Sequence, residues 1–379
     1  MGITTYTAKD ALYDLKALKN FQDNWNGDGV VQVHEKIYYS NPEPLFVKYS
    51  EKLAELTQRI LGAKRTSVAP IYCARINNAT LIPHANILTV DNSFLWDLSR
   101  QAARHIKLTN LIVDENGQKI ANFTYPEPEF IDCSVGLLNM GHNNQHSHWL
   151  LQTLPKLEIF KKAGIRPQKL VVQPTIKGYQ KKALAILGYP ETDLIIGNPE
   201  QPLRCSELYA TNIWGSEVIS DLDIYNELSV KCPSTKPGPE RIYVSRLDSR
   251  NLRRFLNEEK VIELMKEYDF EIVIPSKLTI EEEVNIFRNA KVVVGALGAG
   301  LYNTIFTEPG ANIIVLSDPW YLTGWISNIA ALRGHNIGFI FGHNFLSFDR
   351  VHYGRHSNWV VDIAMVKEAI EMCLKKNFS

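Results

Sequence analysis

The chain has no run of eighteen apolar residues, so nothing in it reads as a membrane span. It has no surplus of charge either: 41 Lys and Arg balance 41 Asp and Glu. A protein built mainly to bind nucleic acid shows a basic excess, so that class is disfavoured. The five cysteines, Cys73, Cys133, Cys205, Cys232 and Cys373, are scattered and odd in number, with no CxxC and no metal-ligand spacing. A reducing compartment is the simplest reading, and no metal site is expected. The opening residues MGITTYTAKDALYDLKALKNF lack the apolar core of a signal peptide. Tyr6 stands where a myristoylation signal wants serine or threonine. The expected location is therefore cytoplasmic. What remains is an ordinary globular composition, 45% apolar and 22% charged, in 379 residues, which is long for one domain.

The pattern along the chain is α/β. Residues 1–65 read as a helical extension with helices near 8–21 and 43–62, and residues 66–231 as a domain with a mixed sheet. Within it LTNLIVDENGQKIANFTY reads as a hairpin turning at Glu115-Asn116-Gly117. NNQHSHWLLQTLPKLEIFKKAG reads as a helix ending at Gly164. CPSTKPGPE, with three prolines and a glycine, breaks both helix and strand, so 232–240 is a linker. Residues 241–360 then alternate regularly: strands at 241–245, 270–275, 291–296, 312–317 and 336–341, helices at 257–268, 279–290, 299–308 and 320–333. Thr279 and Glu282 form a capping box for the second of these helices. Continuous apolar strands such as VVV and IIVL suit a parallel sheet covered on both faces. A last helix, 361–375, is expected to pack back on the N-terminal domain.

Five arginines, Arg241, Arg246, Arg250, Arg253 and Arg254, crowd the start of this second domain. A charge run is ordinarily a solvated face. These lie at and beyond a strand's C-terminal end, which is where ligands bind in an open α/β sheet. Guanidinium forks there suit phosphate oxygens. Ser245 adds a hydroxyl, and Arg246 and Arg253 are the favoured ligands. KVVVGALGAGLYN supplies a second phosphate-favouring element, a strand running into a glycine turn and a helix start. Its glycines, Gly295, Gly298 and Gly300, are spaced G-x-x-G-x-G rather than as the dinucleotide fingerprint. No acid closes the following strand nearer than Asp318. The turn therefore fits the approach of a phosphate or sugar better than NAD, and the two phosphate-favouring elements together suggest a nucleotide diphosphate.

Histidines 142, 146 and 148 offer a general base, since a neutral imidazole can take a proton from a sugar hydroxyl. Residues two apart diverge by roughly 200° on a helix, so His146 and His148 converge only if the helix starts near His148. The bland reading is a cap and a core histidine. Trp149 reads as core.

HWLLQTLPKL, YVSRLDSRNLRRFLNEEKV, the LTIEEEVNIFRNAKVVVGALGAGLYNTIFTEPG run and the closing WVVDIAMVKEAI together resemble glycosyltransferase family 61 over roughly residues 130–375. The resemblance implies a GT-B fold, two Rossmann-like domains facing a cleft. It implies inverting transfer from a nucleotide sugar without a bound metal. The family's histidine falls on His148. Its Ser-Arg and downstream arginine fall on Ser245, Arg246 and Arg253, followed by Asn257 and Glu258. Its glycine motif falls on Gly298, Ala299, Gly300, Leu301 and Asn303. Three positions depart from the pattern: Gln152 stands for an acid, Lys156 for an arginine and Val315 for a glutamate that often holds the donor ribose.

The expected activity is transfer of a sugar, from a UDP-sugar donor and with no other cofactor, to a glycan or lipid-linked saccharide in surface polysaccharide synthesis. His148 is the expected base, with His146 in reserve and Asp132 as a further candidate. The protein would be cytoplasmic or peripheral at the inner face of the membrane. Two other classes stand beside this reading: a two-domain sugar-nucleotide epimerase, and a non-catalytic nucleotide- or glycan-binding subunit, which Gln152 and Val315 favour.

Overall fold

A computed structural model describes residues 3–9, 19, 22–23, 26–48, 65–82, 86–88, 111–113, 119–138, 145–198, 200–213, 222–232, 237–248, 253–318, 321, 324–344 and 358–376. The chain divides into two compact units, Met1–Ile37 with Val68–Ile224 and Tyr38–Ser67 with Tyr225–Ser379. Both are α/β. Among the described residues no helix is long and apolar enough to cross a membrane.

The first unit is built on a mixed sheet. Its strands are β1 (Gly29–His34), β2 (Ile71–Ile82), β3 (Glu129–Leu137), β4 (Lys169–Val172), β5 (Leu194–Ile196) and β6 (Leu203–Thr211), ordered β5-β4-β3-β6-β2-β1. The β5-β4-β3-β6 half is parallel, and β2 pairs antiparallel with β6 and β1. Parallel neighbours need a crossover. Helices α1 (Lys156–Lys162) and α2 (Gly178–Ile186) lie in the connections that lead to β4 and β5. Ile76, Val135, Val171 and Leu208 fill one core of this sheet.

A separate sheet holds the expected hairpin, Leu111–Val113 antiparallel to Lys119–Pro126, with its turn outside the described residues. Ile3–Lys9 pairs on the hairpin's second strand. Of the helix expected at 8–21, Ala8 and Lys9 are extended instead and Lys19 bridges Gly29, while 10–18, 20 and 21 lie outside the described residues. ITTYTAK is rich in β-branched and aromatic residues that favour a pleated surface. In the 43–62 range, Val47–Lys48 is also extended and 49–62 lie outside the described residues.

The helix expected to end at Gly164 is broken in three: an α-turn at His146–His148, a π-turn at Trp149–Thr153, and α1. Pro155 is the cause. It has no N–H to donate and its ring crowds the preceding turn, so the backbone widens before it. Leu154 N–H donates to Trp149 O, five residues back. Gly164 ends α1 with φ 74°, a left-handed stop that glycine adopts cheaply.

The second unit has five strands near their expected positions: β7 (Arg241–Val244), β8 (Glu271–Val273), β9 (Val292–Ala296), β10 (Asn312–Ser317) and β11 (Asn336–Phe341). All neighbours are parallel, in the order β8-β7-β9-β10-β11, and Val47–Lys48 adds a sixth strand beside β11. Helices α3 (Glu258–Glu267), α4 (Ile280–Asn289) and α5 (Trp325–Arg333) connect them, with a 3-10 segment Ala299–Phe306 after β9. The Thr279–Glu282 capping box of α4 is formed in both directions. The helix expected at 299–308 is tightened to 3-10 form; its first bond, Leu301 N–H to Gly298 O, spans three residues.

The order of the unit's own strands, second-first-third-fourth-fifth, is a doubly wound one. Its topological switch point falls between β7 and β9, the place where such sheets bind ligands outside their C-terminal strand ends. The C-terminal helix α6 (Ile363–Lys376), expected on the N-terminal domain, lays Val366, Ala369, Ile370 and Cys373 into the core of this unit with Val292, Ile314 and Ile340.

Candidate functional site

The chain leaves β7 at Val244, and the next residues build the switch point. Ser245 is buried and its hydroxyl donates to Glu258 Oε1 at 3.0 Å. The same oxygen accepts from Tyr243 Oη at 3.2 Å and from the backbone N–H of Arg246 at 2.7 Å. Glu258 is the first residue of α3, so the helix's positive end adds to these three donors. Burial raises its pKa, and the donors from Arg246, Ser245 and Tyr243 pull it back down. One buried carboxylate thus ties the end of β7 to the start of α3 and fixes the backbone from which Arg246 projects.

Arg246 reaches across to the glycine turn after β9, where Nη1 donates to Leu297 O at 2.9 Å. Gly298 makes room for it, because a Cβ there would overlap Nη1. The other two glycines of the turn serve packing. A Cβ on Gly295 would come 2.9 Å from Val244 Cβ, and one on Gly300 would come 3.0 Å from Pro275 Cγ. Gly298 caps the 3-10 segment with no side-chain bond, so the N–H groups of Ala299 and Gly300 open its N-terminal end. Leu301 and Asn303 lie deeper. Both are fully buried, and the Asn303 amide donates to Glu283.

Arg253 joins the cluster from the start of the next described stretch. Its guanidinium lies over the ring of Tyr321, 3.4 Å from the centroid. Burial lowers the Arg246 pKa, and the like charge of Arg253 lowers it further. Two mutually repelling cations at a switch point suit an anion of more than one charge.

The backbone of Arg253 has φ 59°, in the left-handed region. The segment that follows the arginine is clipped to the closing WVV residues. Trp359 Nε1 donates to Arg253 O at 3.3 Å, Trp359 N–H to Arg254 O at 3.0 Å and Leu256 N–H to Trp359 O at 2.9 Å. Asn257 completes the clip. Its amide donates to Val361 O at 2.8 Å and accepts from Val361 N–H at 3.1 Å. Phe255 stacks on Trp359 with centroids 4.2 Å apart. Asn257 thus acts on the backbone that carries Arg253. Arg254 is exposed, and Arg250 lies outside the described residues.

Sequence reasoning missed Tyr321. It stands four residues past the end of β10, held by its N–H on Asp318 O at 3.0 Å and its carbonyl under Ser317 Oγ at 2.7 Å. Its place as an aromatic residue just beyond a strand end was the one signal in the sequence, and it does not say what the ring touches. Asp318 is buried and accepts from Asn344 Nδ2 at 3.2 and 3.3 Å. Val315 is fully buried within β10.

The two histidines belong to the first unit. His148 Nδ1 lies 2.6 Å from Gln152 Oε1 across the π-turn. Burial lowers its pKa, and the Gln152 bond opposes that shift. Gln152 is 1% exposed. Its Nε2 finds no hydrogen-bond partner among the described residues. Lys156, one turn further on, is buried, which brings its pKa down to about 7. His146 Nδ1 lies 3.1 Å from Tyr179 Oη. Trp149 is core and meets the Tyr179 ring edge-on at 5.5 Å. His142 lies outside the described residues, and Asp132 is exposed on β3.

A parallel, doubly wound sheet with paired guanidiniums and a glycine turn at its switch point defines an α/β unit compatible with Rossmann-like folds. The family model for Glycosyltransferase 61 matches residues 146–314, a span that holds both histidines, the arginines and the glycine turn. Over that span the chain is similar to glycosyltransferase family 61, which supports membership of that family. No curated protein matches it.

Proposed function

We propose that this protein is an inverting, metal-independent glycosyltransferase of GT-B type that takes a UDP-sugar as donor. The second unit binds the donor and the first unit binds a glycan or lipid-linked acceptor. The product would enter surface polysaccharide synthesis on the cytoplasmic side of a membrane. The observation that carries the reading is the pairing of Arg246 and Arg253 at the switch point, each held by a dedicated device: Arg246 on Leu297 O over Gly298, Arg253 on the face of Tyr321.

Charge builds on the diphosphate as the bond from the anomeric carbon to its oxygen breaks. Arg246, Arg253 and the N–H groups of Ala299 and Gly300 neutralise that charge, and donors already in place cost no reorganisation. His148 accepts the proton of the acceptor hydroxyl. The freed oxygen attacks the anomeric carbon from the face opposite the leaving diphosphate, and a single displacement inverts the configuration. Burial supports this role, because it keeps the imidazole neutral and able to take the proton.

The test is thermal unfolding with UDP, UDP-sugars and other nucleotides, repeated in EDTA and with Arg246→Ala. Binding to the folded state raises the melting temperature by mass action. UDP or one UDP-sugar is expected to raise it, equally in EDTA, and Arg246→Ala is expected to abolish the rise. No rise with any nucleotide would sink the donor reading. A rise that EDTA removes would sink metal independence.

A further inference from the structure

The residues at the switch point fall into two layers. Arg246, Arg253, Ala299 and Gly300 keep part of their surface open. Ser245 and Asn303, from the same two motifs, are 3% and 0% exposed. Both carry polar groups of the kind that bind phosphate, so where those groups are spent decides what the two residues do.

The Ser245 hydroxyl has one proton to give. Leu247 N–H lies 3.2 Å from Oγ, and an N–H only donates, so Oγ accepts there. Its own proton goes to Glu258 Oε1 at 3.0 Å. That oxygen also takes the backbone N–H of Arg246 at 2.7 Å, which marks it as an acceptor. Ser245 has nothing left to donate to a phosphate from its side chain, and its backbone N–H is held by Val273 O at 2.8 Å. Asn303 repeats the arrangement behind the other turn, where its Nδ2 donates to Glu283, a buried residue of α4. Each phosphate-favouring turn is thus backed by one buried glutamate. A buried carboxylate is costly unless donors surround it, and the donors it gathers are held in place in return.

We infer that Ser245 and Asn303 are positioning residues that never touch the donor: with Glu258 and Glu283 they hold the two turns that present the guanidiniums and the open N–H groups. The ligand's identity rests on the donor reading above; its contacts are then Arg246, Arg253 and the N–H groups of Ala299 and Gly300. Ser245 matters only through Arg246, because the hydroxyl and the Arg246 N–H share Glu258 Oε1 and so fix where that side chain starts.

The experiment is UDP affinity by titration calorimetry, set beside amide hydrogen exchange of the unliganded protein. Ser245→Ala should quicken exchange at the Arg246 N–H and weaken UDP binding by about tenfold, the effect of one lost hydrogen bond to a charged group. Gly298→Ala displaces the same guanidinium, so the double variant should fall well short of the roughly hundredfold that two independent losses would give. Glu258→Gln, which keeps an acceptor oxygen, should retain more UDP affinity than Glu258→Ala. Losses that multiply in the double variant overturn the inference, as does a UDP complex with Ser245 Oγ or Asn303 Nδ2 within hydrogen-bond distance of a phosphate oxygen. If the native protein binds no UDP, yet Ser245→Ala still quickens exchange at Arg246, the positioning role stands and the donor reading falls. Unchanged exchange at Arg246 in Ser245→Ala overturns that role with or without a ligand.

Discussion

Gly298 shows how much one missing methyl group decides. Arg246 crosses the turn over the bare α-carbon to reach Leu297 O. Alanine there must push the guanidinium off its acceptor or shift the turn. Gly298→Ala is therefore expected to weaken UDP binding by about tenfold or more, roughly 1.4 kcal/mol, with little change in the stability of the unliganded protein. Titration calorimetry beside thermal unfolding separates the two effects; equal affinity for UDP would mean that Arg246 does not need its path over the turn. The three glycines looked alike in the sequence, yet Gly295 and Gly300 face Val244 and Pro275 and only Gly298 faces a charge. Spacing reveals that a turn is tight but not what approaches it. Tyr321 was hidden for a related reason. Its contact is with Arg253, far away in the chain, and no local pattern marks a cation–π partner.

At the level of elements, the regular half of the chain was the readable half. Alternation of apolar strands with helical stretches, one of them with a capping box, carried β7 to β11 and α3 to α5, because local propensity and burial agree there. It failed where a single residue overrode periodicity, as Pro155 does in the His146–Lys162 stretch. Pairing also overrode it in Ile3–Lys9, a strand completed by residues near 120. The clip between Arg253–Asn257 and Asn358–Val361 was legible only as two separate motifs of one resemblance. It yields a test. Asn257→Ala removes two partly buried hydrogen bonds, so it should cost about 1–2 kcal/mol of stability. It should also loosen UDP binding, since the same clip holds the left-handed backbone of Arg253. Lost stability with unaltered UDP affinity would confine Asn257 to the fold.

For the molecule as a whole, one lever on stability is acid, through His335. It is 3% exposed at the N-terminal side of β11, its Nε2 donating to Thr307 O at 3.3 Å and its Nδ1 without a partner among the described residues. Burial lowers its pKa from 6.5 to about 4. As pH falls below 6.5, the unfolded chain takes up a proton that the folded protein refuses until about pH 4. Stability should therefore fall through that window by about 3 kcal/mol and be unaffected by this group above it. Urea midpoints across the range should show the loss in the native protein and a shallower slope in His335→Gln; parallel slopes would assign the acid lability elsewhere.

One further consequence follows from the short strand Val47–Lys48. It closes the edge of the second unit's sheet beside β11, with Leu45 N–H on Ile337 O at 2.7 Å and Phe339 N–H on Phe46 O at 3.0 Å. During synthesis that strand leaves the ribosome long before the sheet it completes, and most of the first unit is made in between. The second unit cannot finish by folding its own stretch of chain. It must recruit a segment made before most of the first unit, and the late closure of so large a loop is a slow step. A piece of the gene beginning at the linker would encode a sheet with an open edge, prone to pairing with another copy of itself.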